Sequence, residues 1–475
     1  MTRSPRKGYS GPEDKDGTVS PSTSENGART DAAQEEVRPT EEPVELDIVD
    51  PNFMAEAYDT YAELRAEGPV SRVRFAGGGE EKASGDGAKE EQPEFFGRET
   101  FFVTHYDEVI STLLDDRFSV DPRSAMSPEQ LEQQPEMPEE FRPLSRSILL
   151  LDPPDHTRLR KLVQPSFTGR AMQALRGSIQ EIVDDLLDQA ERDAAERGEA
   201  APDRRMDLIE ALAYPFPVAV IGDMLGIPRE DRETIRGWTE NLLRVDRFRG
   251  GEVDEETRAG LQDFVAYLKD LFERKRRTPA DDMISRLVRA GEDGGEAMDE
   301  DETLGAVFLM YLAGHVTTVN LIGNGVVALL THPEQLAKLR ANPELAKGVV
   351  EETLRYWGPV DFLARRIAKE DVEVGGTVIP AGEQAAVGLA AANRDPERFA
   401  NPDVFDITRA DANRHLAFGK GIHACLGAPL ARIEGQVAFE TLFRRYSELR
   451  LAVPAEEVHW GGSFLRGFAR LPVLF

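Results

Sequence analysis

Apolar residues along this chain recur mostly at helical spacing. Beyond Asp107 they fall three and four apart over 175–191, 207–225, 231–244, 255–276, 281–290, 302–331 and 334–357, which predicts a succession of helices. Pro215 and Pro217 interrupt the second run, and Pro228 opens the third. Alternation takes over in short pieces. Val73 and Phe75 alternate with charges, Phe101-Phe102-Val103 is compact and apolar, and strand-like runs return at 363–368, 371–379, 384–388, 449–453 and 471–475. The two strands on either side of the Gly- and Glu-rich run 77–94 predict a β-hairpin with a flexible acidic insertion at its tip. Residues 1–45 are rich in Gly, Pro, Ser, Thr and Glu and nearly devoid of apolar clusters. Such a segment cannot bury enough surface to offset its ordering entropy, so a disordered polar tail is expected. There is no internal repeat. The expected fold is mostly α (α+β): one large helical domain over 46–475 with small sheets between helices.

Composition narrows the function classes. Lys and Arg number 57 against 87 Asp and Glu, a net charge of −30 that opposes nucleic acid or an anionic membrane as partner. A single cysteine forms no internal disulfide, so the fold needs no oxidising compartment. Arg3, Arg6 and Lys7 are followed by no apolar segment, so no secretory signal is visible. The longest apolar stretch, near Val307–Ala313, falls short of the ~18 residues that span a bilayer. A cytoplasmic, monomeric protein without a membrane anchor is the expectation.

The lone cysteine, Cys425, lies in the run Phe418-Gly419-Lys420-Gly421-Ile422-His423-Ala424-Cys425-Leu426-Gly427. Leu430, Ala431, Arg432, Ile433 and Val437 then read as a helix. A cysteine at a helix start meets unpaired amides and the positive end of the helix dipole, which favour thiolate. Such a group is a nucleophile or a metal ligand. Gly419, Gly421 and Gly427 let backbone approach something flat and bulky. His423 stands two residues away as a general base on paper, but no third orienting residue is evident. A zinc site lacks further local ligands, and Gly-Lys-Gly lacks the spacing of a phosphate loop.

The run resembles the haem-binding loop of the cytochrome P450 family, with Phe418, Gly421, His423, Cys425 and Gly427 at every patterned position. The resemblance implies that Cys425 is the thiolate ligand of haem b (iron protoporphyrin IX) and that Phe418 shields the sulfur. Glu352-Thr353-Leu354-Arg355 resembles the family's Glu-x-x-Arg, where i and i+3 share a helix face. Asn393-Arg394-Asp395-Pro396, with Phe399, Pro402, Phe405 and Arg409, resembles the meander that completes a structural ion network with Glu352 and Arg355. Two haem propionates need buried cations. By resemblance, His156, Arg160, Arg366 and His415 supply them, with His423 and Gly419 also at haem contacts. Arg158 and Arg365 read as solvent-facing neighbours.

Ala313-Gly314-His315-Val316-Thr317-Thr318 resembles the oxygen-activating segment. Ala313 and Gly314 are small enough for O2 and substrate, and Thr317 offers its hydroxyl to the activated oxygen or to the water that protonates it. Relatives mostly carry an acid before that threonine; Val316 cannot carry a proton, which leaves Asn320 on the same face as a possible helper and His315 as a packing residue. The resemblance covers about 46–475 and implies a monooxygenase that hydroxylates or epoxidises a mid-sized apolar polyketide, macrolide or terpenoid. Electrons would come from a separate ferredoxin or flavodoxin with its NAD(P)H reductase, docked near Arg160, Lys161 and Lys420. Leu309, Val360, Phe362, Leu363 and Phe464 are expected to line the pocket, with walls from 122–147 and 228–250. Asp361 reads as a solvated loop acid or, less favoured, a partner for a substrate amine. A peroxide-driven or radical-coupling enzyme, or a haem-binding sensor, are the rival readings.

Overall fold

Pro51, at the start of a run capped by Asp50, opens helix α1 (Pro51–Glu67), which the periodicity reading did not single out. Asp50 accepts a hydrogen bond from Asn52 N at 2.8 Å, and Pro at the first turn forfeits no helical bond. The computed structural model describes residues 42–48, 50–76, 98–132, 145–239, 255–290, 296–461 and 465–475. The expected tail to residue 41, the insertion at 77–94, the wall segments 133–144 and 240–250, and Phe464 lie outside them. The strand β1 covers Val44–Asp47, so the expected domain start at 46 falls inside an element. Four residues are too short for periodicity to register; pairing with β2 makes them a strand.

The hairpin expected around the insertion is present as β2 (Val70–Ala76) and β3 (Glu99–Val103), antiparallel with Val73 opposite Thr100. Together with β4 (Phe118–Ser119), β6 (Phe362–Ala368) and β9 (Gln384–Gly388) they build one six-stranded sheet in the order β1-β2-β3-β9-β6-β4. It is covered on both faces. Val70, Val103, Ala385 and Val387 pack into one cluster, and Val73, Phe75, Phe102 and Ala386 into another. The second sheet joins β5 (Arg205–Asp207) to β11 (Pro472–Leu474) and β10 (Arg450–Leu451), and β7 (Val372–Val374) pairs with β8 (Thr377–Ile379).

The helical part holds the main core. It contains α2 (Tyr106–Leu114), α3 (Asp155–Val163), α4 (Pro215–Leu225), α5 (Glu300–Thr331), α6 (Ala346–Trp357) and α7 (Ala428–Arg445). The periodic run 334–357 is two helices, not one, because Pro343 follows the end of Pro333–Ala341. Helix α5 starts on a capping box, Asp299 and Glu302 each bonding the other's backbone. By length and composition it is apolar enough to cross a membrane, contrary to the short stretch expected at Val307–Ala313; two thirds of the window is buried within the chain itself. It is the central core helix.

Candidate functional site

The cysteine loop is built by local bonds. Cys425 N donates to Phe418 O at 2.8 Å, Gly419 N to Leu416 O at 2.7 Å, and Ala424 N to Gly421 O at 3.1 Å. Gly421 has φ 74°, and a Cβ there would lie 2.7 Å from Leu113 O, so only glycine fits against the end of α2. The α7 start has no side-chain cap, which leaves the Gly427 and Ala428 amides to hydrogen-bond the sulfur. Burial among the surrounding protein pushes the Cys425 thiol pKa up. The two amides and Arg160 pull the other way and do not prevail. The helix-start amides favour thiolate as expected, and burial opposes them. Nucleophile chemistry lacks its base, because His423 Nε2 has no partner. Among the described residues no three His, Cys, Asp or Glu side chains are grouped to hold a metal, so Cys425 would be a sole protein ligand.

Around this loop stand cationic and donor groups to which no carboxylate is hydrogen-bonded among the described residues, although the Asp152 charge acts on His156 and Arg366. His156 is buried with both ring nitrogens unpartnered, and its ring lies 4.4 Å from that of His423. Burial, then His156, Arg366 and Arg160, push His423 down to about 3. Burial pushes Arg366 down to about 10; its one side-chain bond goes to Arg365 O. Arg160 donates to Ala424 O at 2.8 Å. Two buried donors, His156 and Arg366, and two half-buried ones, Arg160 and His423, with no carboxylate bonded to them fit a ligand bearing two carboxylates, as a haem does. His415, expected among them, is held elsewhere: Nε2 pairs with Glu351 Oε2 at 3.2 Å and Nδ1 accepts from Ala417 N at 3.1 Å. Burial favours a neutral Glu351, but bonds from His415 and Arg432 hold it at about 2. Phe418 sits between the His415 ring at 5.6 Å and the Arg432 guanidinium at 4.6 Å.

Glu352 and Arg355 are both 0% exposed and joined by two 2.8 Å bonds. Arg355 also donates to Asn393 O, Pro402 O and Val404 O, and Arg409 Nε reaches Glu352 Oε1 at 3.2 Å. Asn393 Oδ1 accepts from Leu416 N at 2.7 Å. The network thus holds the meander and, through Asn393, the start of the cysteine loop.

Between Glu302 and Leu329 the α5 residues are buried, apart from Leu309, Leu312, Ala313, Gly314, Val316, Thr317 and Asn320. All but Gly314 recur three to four residues apart and form a stripe on one less buried face of the helix; Gly314, expected beside Ala313, instead packs on α4, where a Cβ would lie 3.1 Å from Ile221. Thr317 Oγ1 donates to Ala313 O at 2.9 Å. His315 is turned away and buried, its Nδ1 2.6 Å from Tyr311 O, and burial pushes it down to about 4. Next to the stripe, Thr318 Oγ1 donates to Glu434 Oε2 at 3.4 Å. Glu434 lies six residues into α7, ~9 Å from its start at 1.5 Å per residue, so stripe and cysteine loop share one helix crossing. It is 1% exposed, with Oε1 unpartnered, and burial holds its pKa well above the carboxylate range. Sequence reading did not single it out, since nothing in Ala-Arg-Ile-Glu signals a buried acid.

Three further expectations change. Phe362 turns into the sheet core, stacked 4.8 Å from Phe75, because alternation in β6 sends it to the face opposite Leu363. Val360 packs on the other cluster with Leu363. Arg158 is no solvent-facing neighbour but pairs with Glu302 at the start of α5. Asp361 is 1% exposed and bound to Arg466, so it is neither solvated nor available to a substrate amine.

A family model described as Cytochrome P450 matches residues 95–454. Cytochrome P450 monooxygenase PikC of Streptomyces venezuelae is 42% identical over 431 residues, 90% of this chain and 94% of PikC. 6-Deoxyerythronolide B hydroxylase of Saccharopolyspora erythraea is 37% identical over 431 residues, 90% of this chain and 98% of that protein. The solved structure of the tirandamycin C-bound P450 monooxygenase TamI superposes with a TM-score of 0.76 at 38% identity, covering 91% of this chain and 100% of TamI.

Proposed function

The chain belongs to the cytochrome P450 family and is a P450 monooxygenase, an oxidoreductase that incorporates one atom of O2; from that premise we propose that it hydroxylates or epoxidises a mid-sized polyketide, macrolide or terpenoid. The observation that carries the site reading is the group His156, Arg160, Arg366 and His423 beside Cys425, donors with no protein carboxylate bound to them. These four would hold the propionates of haem b, and the Cys425 sulfur would take its iron, supported by the Gly427 and Ala428 amides. Haem, when bound, supplies the activation of O2. Leu309, Leu312, Ala313, Val316 and Leu363 present an apolar wall that orients a C–H bond and excludes bulk water. Thr317 donates its hydroxyl hydrogen to Ala313 O, which leaves its lone pairs to accept a hydrogen bond from a water on the open side and so orient it.

A substrate of polyketide or macrolide type is supported by relatives whose names carry it, 6-deoxyerythronolide B hydroxylase and a polyketide biosynthesis P450 of Bacillus subtilis. Electrons come from a cytoplasmic ferredoxin or flavodoxin with its NAD(P)H reductase. Lys420 and the exposed apolar pair Leu114 and Ile422 flank Gly421 on the cysteine face and suit an acidic partner with an apolar centre. Lys161, also expected there, is paired with Glu296. The valine at 316 gives the peroxide-driven reading its one observation, an open stripe with no carboxylate among its residues. A Soret-shift screen of macrolactones and terpenoids, followed by turnover with a surrogate ferredoxin system, separates the two. Product formed with ferredoxin and NADPH supports the monooxygenase assignment; turnover supported by peroxide alone overturns it.

A further inference from the structure

Asp361 and Arg466 form an ion pair with both side chains 1% exposed. Arg466 Nε and Nη2 reach the two Asp361 oxygens at 2.9 and 2.7 Å, fork to fork. Its Nη1 donates to Met54 O at 2.7 Å, and the Tyr61 hydroxyl donates to Asp361 Oδ2 at 3.1 Å. The Tyr58 and Trp460 rings lie 4.7 and 5.0 Å from the guanidinium carbon. The Arg466 backbone is held as well: its N donates to Pro359 O at 2.9 Å and its O accepts from Asn324 at 3.1 Å. One residue thus ties together α1, the turn before β6, the C-terminal segment and α5.

Stability alone does not call for this arrangement, since an apolar pair of similar volume is often as stable as a buried ion pair. What a bidentate pair adds is fixed distance and direction. The two segments it fixes run to the cysteine loop and to the less buried face of α5. Asp361 leads into β6, where Leu363 faces the cysteine loop; a Cβ on Gly419 would lie 3.9 Å from Leu363 Cδ1. Arg466 leads into Gly467, packed so closely on Asn320 at the end of the open stripe that a Cβ would fall 2.1 Å from Asn320 Oδ1.

We propose that the buried Asp361–Arg466 pair is a positioning device that sets the separation of the β6 wall and the C-terminal wall, and so the bulk of substrate the site admits. The proposal rests on the haem-site reading above. Its test uses the haem-loaded protein, the paired replacement Asp361→Leu with Arg466→Met, and the milder Tyr61→Phe, which deletes one hydroxyl donor to Asp361. Imidazole and clotrimazole are titrated by the Soret shift; the first reads the iron site, the second also reads the walls. The expected result is an imidazole Kd within twofold of the unmodified protein, with the clotrimazole Kd changed at least tenfold in the paired variant and severalfold in Tyr61→Phe. Clotrimazole affinity unchanged in the paired variant overturns the proposal, as do equal changes for both ligands. If the paired variant does not fold, an unchanged clotrimazole Kd in Tyr61→Phe overturns it. Failure of imidazole to shift the unmodified protein would refute the haem reading instead.

Discussion

His156 and His423 face each other with ring centroids 4.4 Å apart, and three of their four ring nitrogens have no protein partner. A buried, unsatisfied donor costs about 1–3 kcal/mol, whereas a hydrogen bond to a charged group contributes about 1.5–3 kcal/mol. The same residue should therefore weaken the haem-free protein and strengthen the loaded one. His156→Leu is expected to raise the thermal midpoint of the haem-free form and lower that of the loaded form. Scanning calorimetry of both forms checks the sign; midpoints that move together would refute the propionate role.

Val316 stands in the open stripe next to Thr317, where no proton can be held. Val316→Glu adds a proton-holding group on the same face, so product per NADPH is expected to rise and hydrogen peroxide per NADPH to fall. Thr317→Ala should move both ratios the other way. Parallel assays of product, peroxide and NADPH check this, and an unchanged ratio in Val316→Glu would count against proton control at 316.

Glu434 is fully buried, and burial raises its pKa above the ordinary value of 4.5. The folded state then holds a proton that the unfolded chain releases, so its contribution is present below pH 4.5 and lost as pH rises toward the folded pKa. Glu434→Gln keeps the shape and removes the titration. It is expected to be more stable than the unmodified protein at pH 8, with the gap closing toward pH 4.5 in urea unfolding.

His315 shows the opposite sign. Its folded pKa, about 4 against 6.5, means the unfolded chain binds more protons between those values. Stability is whole above pH 6.5 and falls by up to about 3 kcal/mol as pH drops to 4, at 1.36 kcal/mol per unit. His315→Gln should flatten that part of the urea-midpoint curve.

Arg355 satisfies two Glu352 oxygens and three carbonyls at once. Lysine has one ammonium and no fork, so Arg355→Lys leaves part of the buried network unpaired. A cost of about 3–5 kcal/mol is expected, seen as loss of haem-loaded protein from the soluble fraction.

Much of this was legible in the residues. The cysteine loop is read within ten positions, and Glu352 and Arg355 lie one helical turn apart. The periodic runs became helices because apolar residues at helical spacing meet the core, on one face in an amphipathic helix and on nearly all sides in α5. What was not legible depends on partners remote in sequence. Arg158 finds Glu302, Thr318 finds Glu434, and Asp361 finds Arg466, each more than a hundred positions away. Phe362 and Leu363 were grouped by adjacency, but a strand sends neighbours to opposite faces. Helix α1 was legible but passed over: Met54, Ala57, Tyr61 and Leu64 recur at helical spacing and are all buried.

The sequence by itself determined the family pattern, the helical class, the single thiol and the missing acid at 316, since each is carried by residue type and short spacing. Tertiary structure alone decided which charges are buried. It set burial against the helix-start amides at Cys425, paired His415 with Glu351, and closed Asp361 onto Arg466. Burial and partner choice set the energy of a charge, and both are properties of the packed chain rather than of any stretch of it.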